Sequence, residues 1–183
     1  MFDHFEHQRH CCLVFECLGP SLHESLMKNG RRGFPLNVIR PIARELLQAI
    51  EFLHSIKLIH TDLKPENILL TSWDEREVKL DSGDVIRVPA TPHVKVIDFG
   101  SATYENGPHA SIVTTRPYRA PEVILGMRWS YPSDLWSIGC IIAELVFGDR
   151  LFETHDDHEH LAMMEKCVGP FPSAMLTKAP QTA

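Results

Sequence analysis

The chain has 183 residues, 44% hydrophobic and 23% charged, with a formal net charge of −6. That length and apolar content support one compact domain with its own core and exclude bulk disorder. The acidic balance disfavours nonspecific nucleic-acid binding and suits basic partners, and no apolar stretch reaches the ~20 residues that span a bilayer.

The N-terminus, Met1-Phe2-Asp3-His4, has no signal-peptide character. Residues 1–17 alternate and then run apolar through Cys11-Cys12-Leu13-Val14-Phe15. This predicts two short strands joined by a polar turn around His7-Gln8-Arg9. Cys11 and Cys12 are expected at buried strand positions rather than as metal ligands. The five cysteines (Cys11, Cys12, Cys17, Cys140, Cys167) form no CxxC pair and read as reduced thiols of an intracellular protein. Gly19-Pro20 breaks the second strand. A short helix capped by Ser21 and ended by Gly30 follows.

Residues 36–55 give the clearest helix. Ile39, Ala43, Leu46, Ile50 and Leu53 recur at helical spacing, so one face is apolar. With Asn37 as the cap, Pro41 would delete only the first intrahelical bond; deeper in the helix it would force a kink. A polar loop then leads to a short strand, Ile68-Leu69-Leu70. Residues 71–92 read as a charged insertion whose Val85-Ile86-Arg87-Val88 forms a surface hairpin. A strand at Val94-Lys95-Val96-Ile97 follows, and residues 101–119 are loop-like. Residues 133–147 form an apolar helix with Ile138, Ile141, Ile142 and Leu145 inward and Gly148 as its stop. An amphipathic helix covers residues 157–168, and the tail from Pro172 is expected to be disordered. His155, His158 and His160 lack the i, i+4 pairing with a glutamate base that a helical zinc site uses, so no metal site is expected there.

The chemistry concentrates in His60-Thr61-Asp62-Leu63-Lys64-Pro65-Glu66-Asn67. Phosphoryl transfer needs a carboxylate to orient and deprotonate a hydroxyl, a cation beside the moving group, and ligands for Mg²⁺. Asp62 suits the first task, Lys64 the second and Asn67 the third, as a neutral oxygen ligand for a hard cation already bonded to phosphate. Asp98, in Asp98-Phe99-Gly100, supplies a charged metal ligand from a second loop.

This string resembles the catalytic loop of protein kinases, with Asp98-Phe99-Gly100 as the DFG motif and Ala120-Pro121-Glu122 as the APE motif. Asp134-Leu135-Trp136-Ser137-Ile138-Gly139 resembles the buried helix that anchors that loop, Asp134 bonding its backbone amides. Glu159-His160-Leu161-Ala162-Met163-Met164-Glu165-Lys166 resembles the EHLAMMER signature of LAMMER (Clk-type) dual-specificity kinases, with Lys166 in place of arginine. Thr61 in the catalytic loop, Thr115-Arg116-Pro117-Tyr118-Arg119 and an insertion at 71–92 are also traits of that family. Leu161, Met163 and Met164 are read as packing residues.

The resemblance implies an α+β, protein-kinase-like fold. Residues 1–18 would be the last N-lobe strands and the hinge, 19–172 the C-lobe, and 173–183 a tail. It implies transfer of the ATP γ-phosphate to Ser/Thr, and also Tyr, hydroxyls, with ATP and Mg²⁺ as cofactors. By analogy Phe15 is the gatekeeper, the Glu16 carbonyl and Leu18 amide bond the adenine edge, Leu69 forms its floor and Ile97 lines the pocket. Thr115 shapes the hydroxyl site beside Asp62 and Lys64, and Glu66 touches substrate or ribose. Basic Ser/Arg-rich splicing factors as substrates, and a nuclear and also cytoplasmic location, are implied too. Many kinases order the activation loop by pairing a catalytic-loop arginine with a phosphate. Threonine cannot do this, so independence from that switch is expected.

The sequence holds no G-x-G-x-x-G loop, no V-A-I-K lysine and no arginine partner for Glu122. A truncated kinase domain without measurable activity of its own is therefore expected. The alternative function is a non-catalytic substrate- or partner-binding product.

Overall fold

The computed structural model describes residues 1–180. Strands β1 (Asp3–His7) and β2 (His10–Val14) pair antiparallel with His7 opposite His10. Gln8 and Arg9 both have positive φ, 49° and 65°, the combination of a tight type I′ turn. The hairpin stands apart from the core. Phe5, Leu13 and Phe15 are exposed, Cys11 is exposed and Cys12 half-buried, against the expected burial of both cysteines. Adjacent strand residues point to opposite faces, and neither face of this two-stranded ribbon is covered among the described residues.

Helix α1 (Leu22–Lys28) starts with a full capping box, in which the Glu24 amide donates to Ser21 Oγ and the Ser21 amide to the Glu24 carboxylate. Helix α2 (Leu36–Ser55) is preceded by Pro35, not capped by Asn37 as expected. The Ile39 amide donates to the Pro35 carbonyl, so Pro41 deletes the third bond of the ladder, to Asn37, rather than the first. Val38, Ile39, Ile42, Leu46, Ile50 and Leu53 are buried, while Ala43 sits at the edge of that face. Burying six such side chains contributes on the order of 10 kcal/mol.

Strands β3 (Leu58–Ile59) and β4 (Ile68–Leu70) flank the catalytic-loop string. Strand β7 (Val94–Val96) pairs antiparallel with β4, and β8 (Thr103–Tyr104) pairs with β3. The insertion forms the expected hairpin, β5 (Glu75–Lys79) with β6 (Val85–Pro89). It is not merely a surface feature. Ile86 and Val88 are 1% and 0% exposed and join the main core. Asn29 clamps the hairpin's edge, donating from Nδ2 to the Arg87 carbonyl at 2.6 Å and accepting the Arg87 amide at 2.8 Å. The alternation of β6 therefore gives one face to the core and one to water.

Helix α3 (Pro121–Ile124) is short, and α4 (Pro132–Phe147) is buried along Ile138, Ile141 and Leu145, with Gly148 at φ 86° ending it. A Cβ on Gly148 would lie 1.7 Å from the Arg31 carbonyl oxygen, so this stop admits no other residue without rearrangement. Glu144, 4% exposed, accepts a 2.7 Å hydrogen bond from the Tyr118 hydroxyl, itself 2% exposed. Burial pushes the Glu144 carboxyl above its ordinary range, and the Tyr118 bond pulls it back in part. An acid with a raised folded-state pKa adds most stability below its unfolded pKa of about 4.5 and loses it as pH rises through the folded value. Tyr118→Phe should therefore cost about 1–2 kcal/mol near pH 7 and progressively less at acid pH. Urea unfolding at several pH values checks this, and a cost that does not change with pH would contradict it.

Helix α5 (Asp157–Val168) is capped by the Asp156 carboxylate, which accepts the Glu159 amide at 2.8 Å. Met164 is buried and Leu161 and Met163 are half-buried, consistent with packing roles. Phe152 lies between Trp136 and the fully buried His160. Residues 101–119, expected as loop, contain β8 and a turn of 3₁₀ helix at Arg116–Tyr118. The expected disorder of the tail is replaced at Ser173–Lys178 by a sixth helix, α6. Only residues 181–183 of the tail lie outside the described residues. Among those described, no helix is long and apolar enough to cross a membrane.

Candidate active site

Helix α2 ends beside the N-terminus of α4, and this contact places the loop 60–67. Asp134, in the first turn of α4, is 1% exposed. Its Oδ2 accepts the His60 amide at 2.9 Å and His54 Nε2–H at 2.9 Å, and its Oδ1 accepts the Thr61 amide at 3.0 Å. The loop backbone is thus hung on one buried carboxylate, as the resemblance implied. Thr61 has φ 68°, a left-handed conformation that costs a β-branched residue about 1–3 kcal/mol. Its amide bond to Asp134 and a 2.9 Å hydrogen bond from its hydroxyl to the Ser101 carbonyl hold it there. His60 Nε2–H donates to the Ile97 carbonyl at 3.0 Å, leaving Nδ1 to accept the Asp62 amide at 3.3 Å. One tautomer serves both contacts.

Asp62, Lys64 and Thr115 converge. Lys64 Nζ lies 2.8 Å from Asp62 Oδ2 and 3.2 Å from Thr115 Oγ1. Asp62 Oδ1 accepts the Thr115 hydroxyl at 2.7 Å and its amide at 3.2 Å. Partial burial pushes the Asp62 carboxyl up, but the Lys64 and Thr115 bonds outweigh it and hold the group below the ordinary aspartate range. Asp62 is thereby kept ionised. An open groove of about 530 Å³ beside it is lined by Thr61, Asp62, Ser101, Val113, Thr115 and Arg119, among others. Arg119 is committed to the groove's wall, donating to the carbonyls of Val113 and Thr114 at 3.0 and 2.9 Å.

Asn67 and Asp98 lie at the ends of paired strands. Asn67 directly precedes β4, and Asp98 follows β7 by two residues. The Ile97 amide donates to the Asn67 carbonyl at 2.9 Å, extending the ladder to the residue before Asp98. Asn67 Nδ2 donates to the Asp62 carbonyl at 2.9 Å, so its Oδ1 faces away and is free to act as a ligand. Asp98 is exposed with φ 65°, and one carboxylate oxygen accepts only the Gly100 amide at 3.3 Å. A neutral and a charged oxygen, carried at the ends of paired strands, are the ligand types that suit a hard cation arriving with phosphate oxygens of its own. Among the described residues no group of three His, Cys, Asp or Glu could hold a metal unaided.

The expected adenine-side residues come from two directions. Leu69 and Ile97 are half-buried on β4 and just past β7, and Ile68 and Leu70 flanking Leu69 point into the core. Leu18 is brought alongside, because the Gly19 amide donates to the Leu70 carbonyl at 2.8 Å. Glu16 pairs with Lys95 of β7 at 2.6 Å. Phe15 is 60% exposed and lies outside both apolar clusters. Glu66 stands 3.7 Å from His23, with its second oxygen buried and unpartnered.

Sequence reasoning missed His54, which bonds the anchoring Asp134 carboxylate, and Ser101, whose carbonyl accepts the Thr61 hydroxyl. It also missed Trp73, whose Nε1–H donates to the Leu18 carbonyl at 3.1 Å. No sequence signal marks the first two. Trp73 stands out only as a large aromatic in a charged stretch.

A model of the protein kinase domain family matches residues 1–180. The chain is 52% identical over 181 residues to serine/threonine-protein kinase AFC2 of Arabidopsis thaliana, covering 95% of this chain and 42% of that protein. It is 49% identical over 183 residues to dual specificity protein kinase CLK1 of Homo sapiens, covering 97% of this chain and 37% of that one. Similarity to dual specificity protein kinase lkh1 of Schizosaccharomyces pombe is 47% over 182 residues, with 99% and 26% covered. A crystal structure of a kinase domain superposes with a TM-score of 0.91 at 44% identity, covering 97% of this chain and 54% of that one. The chain thus spans less than half the length of these curated relatives.

Proposed function

Because the chain belongs to the protein kinase domain family, and within it to the LAMMER (Clk-type) group, we propose that it carries the phosphoryl-transfer half of a kinase using MgATP on Ser, Thr and Tyr hydroxyls of proteins. The observation that carries this is the carboxylate of Asp62, held ionised between Lys64 and Thr115 in an open groove. Asp62 accepts the proton of the substrate hydroxyl and orients its oxygen. Thr115 shapes the hydroxyl site beside Asp62 and Lys64. Lys64 supplies positive charge to the transferring group, where charge develops in the transition state. Asn67 and Asp98 would hold the magnesium, which would supply positive charge to neutralise the phosphates. Leu69 and Ile97 would pack on the adenine, with the Glu16 carbonyl and Leu18 amide bonding its edge and Phe15 behind it. Glu66 would touch substrate or ribose.

The net charge of −6 and the exposed Asp157 and Glu159 favour basic, Ser/Arg-rich substrates, and a nuclear site of action goes with such substrates. Neither nucleic acid nor membrane is required by this reading. In the native protein at full length, Asp98→Asn should lower phosphorylation of a Ser/Arg-rich peptide about 100-fold at fixed Mg²⁺, with part recovered as Mg²⁺ is raised. A variant with unchanged rate and Mg²⁺ dependence would remove Asp98 from the metal site.

A further inference from the structure

The insertion at 71–92 touches the molecule at a point its packing role does not require. Its hairpin is fixed to the core by Ile86, Val88 and the Asn29 clamp. Separately, its first residues lie against the segment that leaves the adenine side. The Trp73 indole N–H donates to the Leu18 carbonyl at 3.1 Å across 55 residues, although Trp73 is 70% exposed and buries little. One residue earlier, the Ser72 carbonyl oxygen would sit 2.4 Å from a Cβ on Gly19, so glycine is what allows the two backbones to meet. The Gly19 and Leu70 amides close the ladder on this junction, to the Leu70 and Pro20 carbonyls at 2.8 and 2.9 Å. Lys95, just beyond the insertion, reaches back to Glu16.

We propose that Trp73 is a positioning residue for the nucleotide: its indole holds the Leu18 carbonyl, and together with the Gly19 amide on Leu70 it restrains the end of the segment whose Leu18 amide and Glu16 carbonyl would face the adenine edge. This rests on the adenine reading given above. A ring 70% exposed contributes little apolar burial, so its distinctive contribution is the N–H bond. That bond holds the carbonyl of the residue whose own amide is the ligand, while the Gly19 amide holds the other end of the same peptide unit. A segment with one of these two restraints removed keeps freedom that must be lost when nucleotide binds, and this weakens binding without altering the chemical step.

The test compares the full-length native protein with Trp73→Phe, which keeps the ring and removes the donor. ATP and purine riboside triphosphate, which lacks the amino group facing the Glu16 carbonyl, are the nucleotides, and thermal midpoints are read alongside. Expected is a rise of about fivefold in the KM for ATP, the size of one neutral hydrogen bond, at unchanged kcat and thermal midpoint. An unchanged KM while ATP is still preferred over the analogue would overturn the proposal and leave the adenine reading standing. A loss of kcat together with the thermal midpoint would make Trp73 structural and also overturn it. Absence of any preference for ATP in the unaltered protein would remove the adenine reading, and this proposal with it.

Discussion

Asp62→Asn should lower kcat about 10³-fold in the full-length protein, with the fold and the KM for nucleotide little changed. An amide has no capacity to take the substrate proton. Its nitrogen would also face either Lys64 or the Thr115 hydroxyl, donor against donor, since the two carboxylate oxygens are claimed by these groups at 2.8 and 2.7 Å. Single-turnover phosphoryl transfer and far-UV circular dichroism together measure it. A loss of tenfold or less, in a folded variant, would deny Asp62 the role of base. The electrostatics give a second readout. Hydrogen bonds from Lys64 and Thr115 outweigh burial and keep the carboxyl ionised below its ordinary pKa of about 3.8. Such a group adds stability above its unfolded pKa and loses it as pH falls through the folded value. Taking away the donor in Thr115→Val raises the folded value, so the acid limb of kcat/KM moves to higher pH.

The largest loss of stability is expected at Asp134→Asn, about 3 kcal/mol, a substantial part of the 5–15 kcal/mol typical of a domain. The carboxylate receives three N–H donors, two on Oδ2 and one on Oδ1. Asparagine has one acceptor oxygen, and whichever way it is turned its NH₂ meets a donor in a site 1% exposed to water. If Oδ1 is retained toward Thr61, the His60 amide and His54 lose their partner. If it is retained toward His60, Thr61 keeps only its hydroxyl bond to the Ser101 carbonyl to hold its left-handed conformation, and Asp62 shifts with it. Urea unfolding should show the lost stability, and activity should fall even at temperatures where the variant is folded. A cost under about 1 kcal/mol would mean that the loop does not depend on this carboxylate.

The parts of this molecule that read well from sequence are those whose chemistry is contiguous. Asp62, Lys64 and Asn67 lie within six residues because one loop must offer a base, a cation and a ligand together. The apolar face of α2 was legible because a 20-residue helix repeats its period often enough to be unambiguous. Its bounds at residues 36 and 55 were read as they stand, but Asn37, a good cap by type, lies inside the helix because the chain turns into it one residue after Pro35. Contacts between distant segments were legible only through the family resemblance, which set Thr115 beside Asp62 across 53 residues and Asp134 on the loop amides. The contact of His54 with Asp134 across 80 residues had no signal at all. The insertion's strand alternation predicted a hairpin but could not say which face would find the core. The apolar run at Cys11-Cys12 predicted burial, yet a two-stranded ribbon has no second layer to bury it. Helix α6 is too short for periodicity to register.

The joint between the Thr61 hydroxyl and the Ser101 carbonyl is neutral. Salt has little charge there to screen, and a phosphatase finds no group to strip away. On the reading proposed above, this contact between the two loops forms with folding and needs no added phosphate.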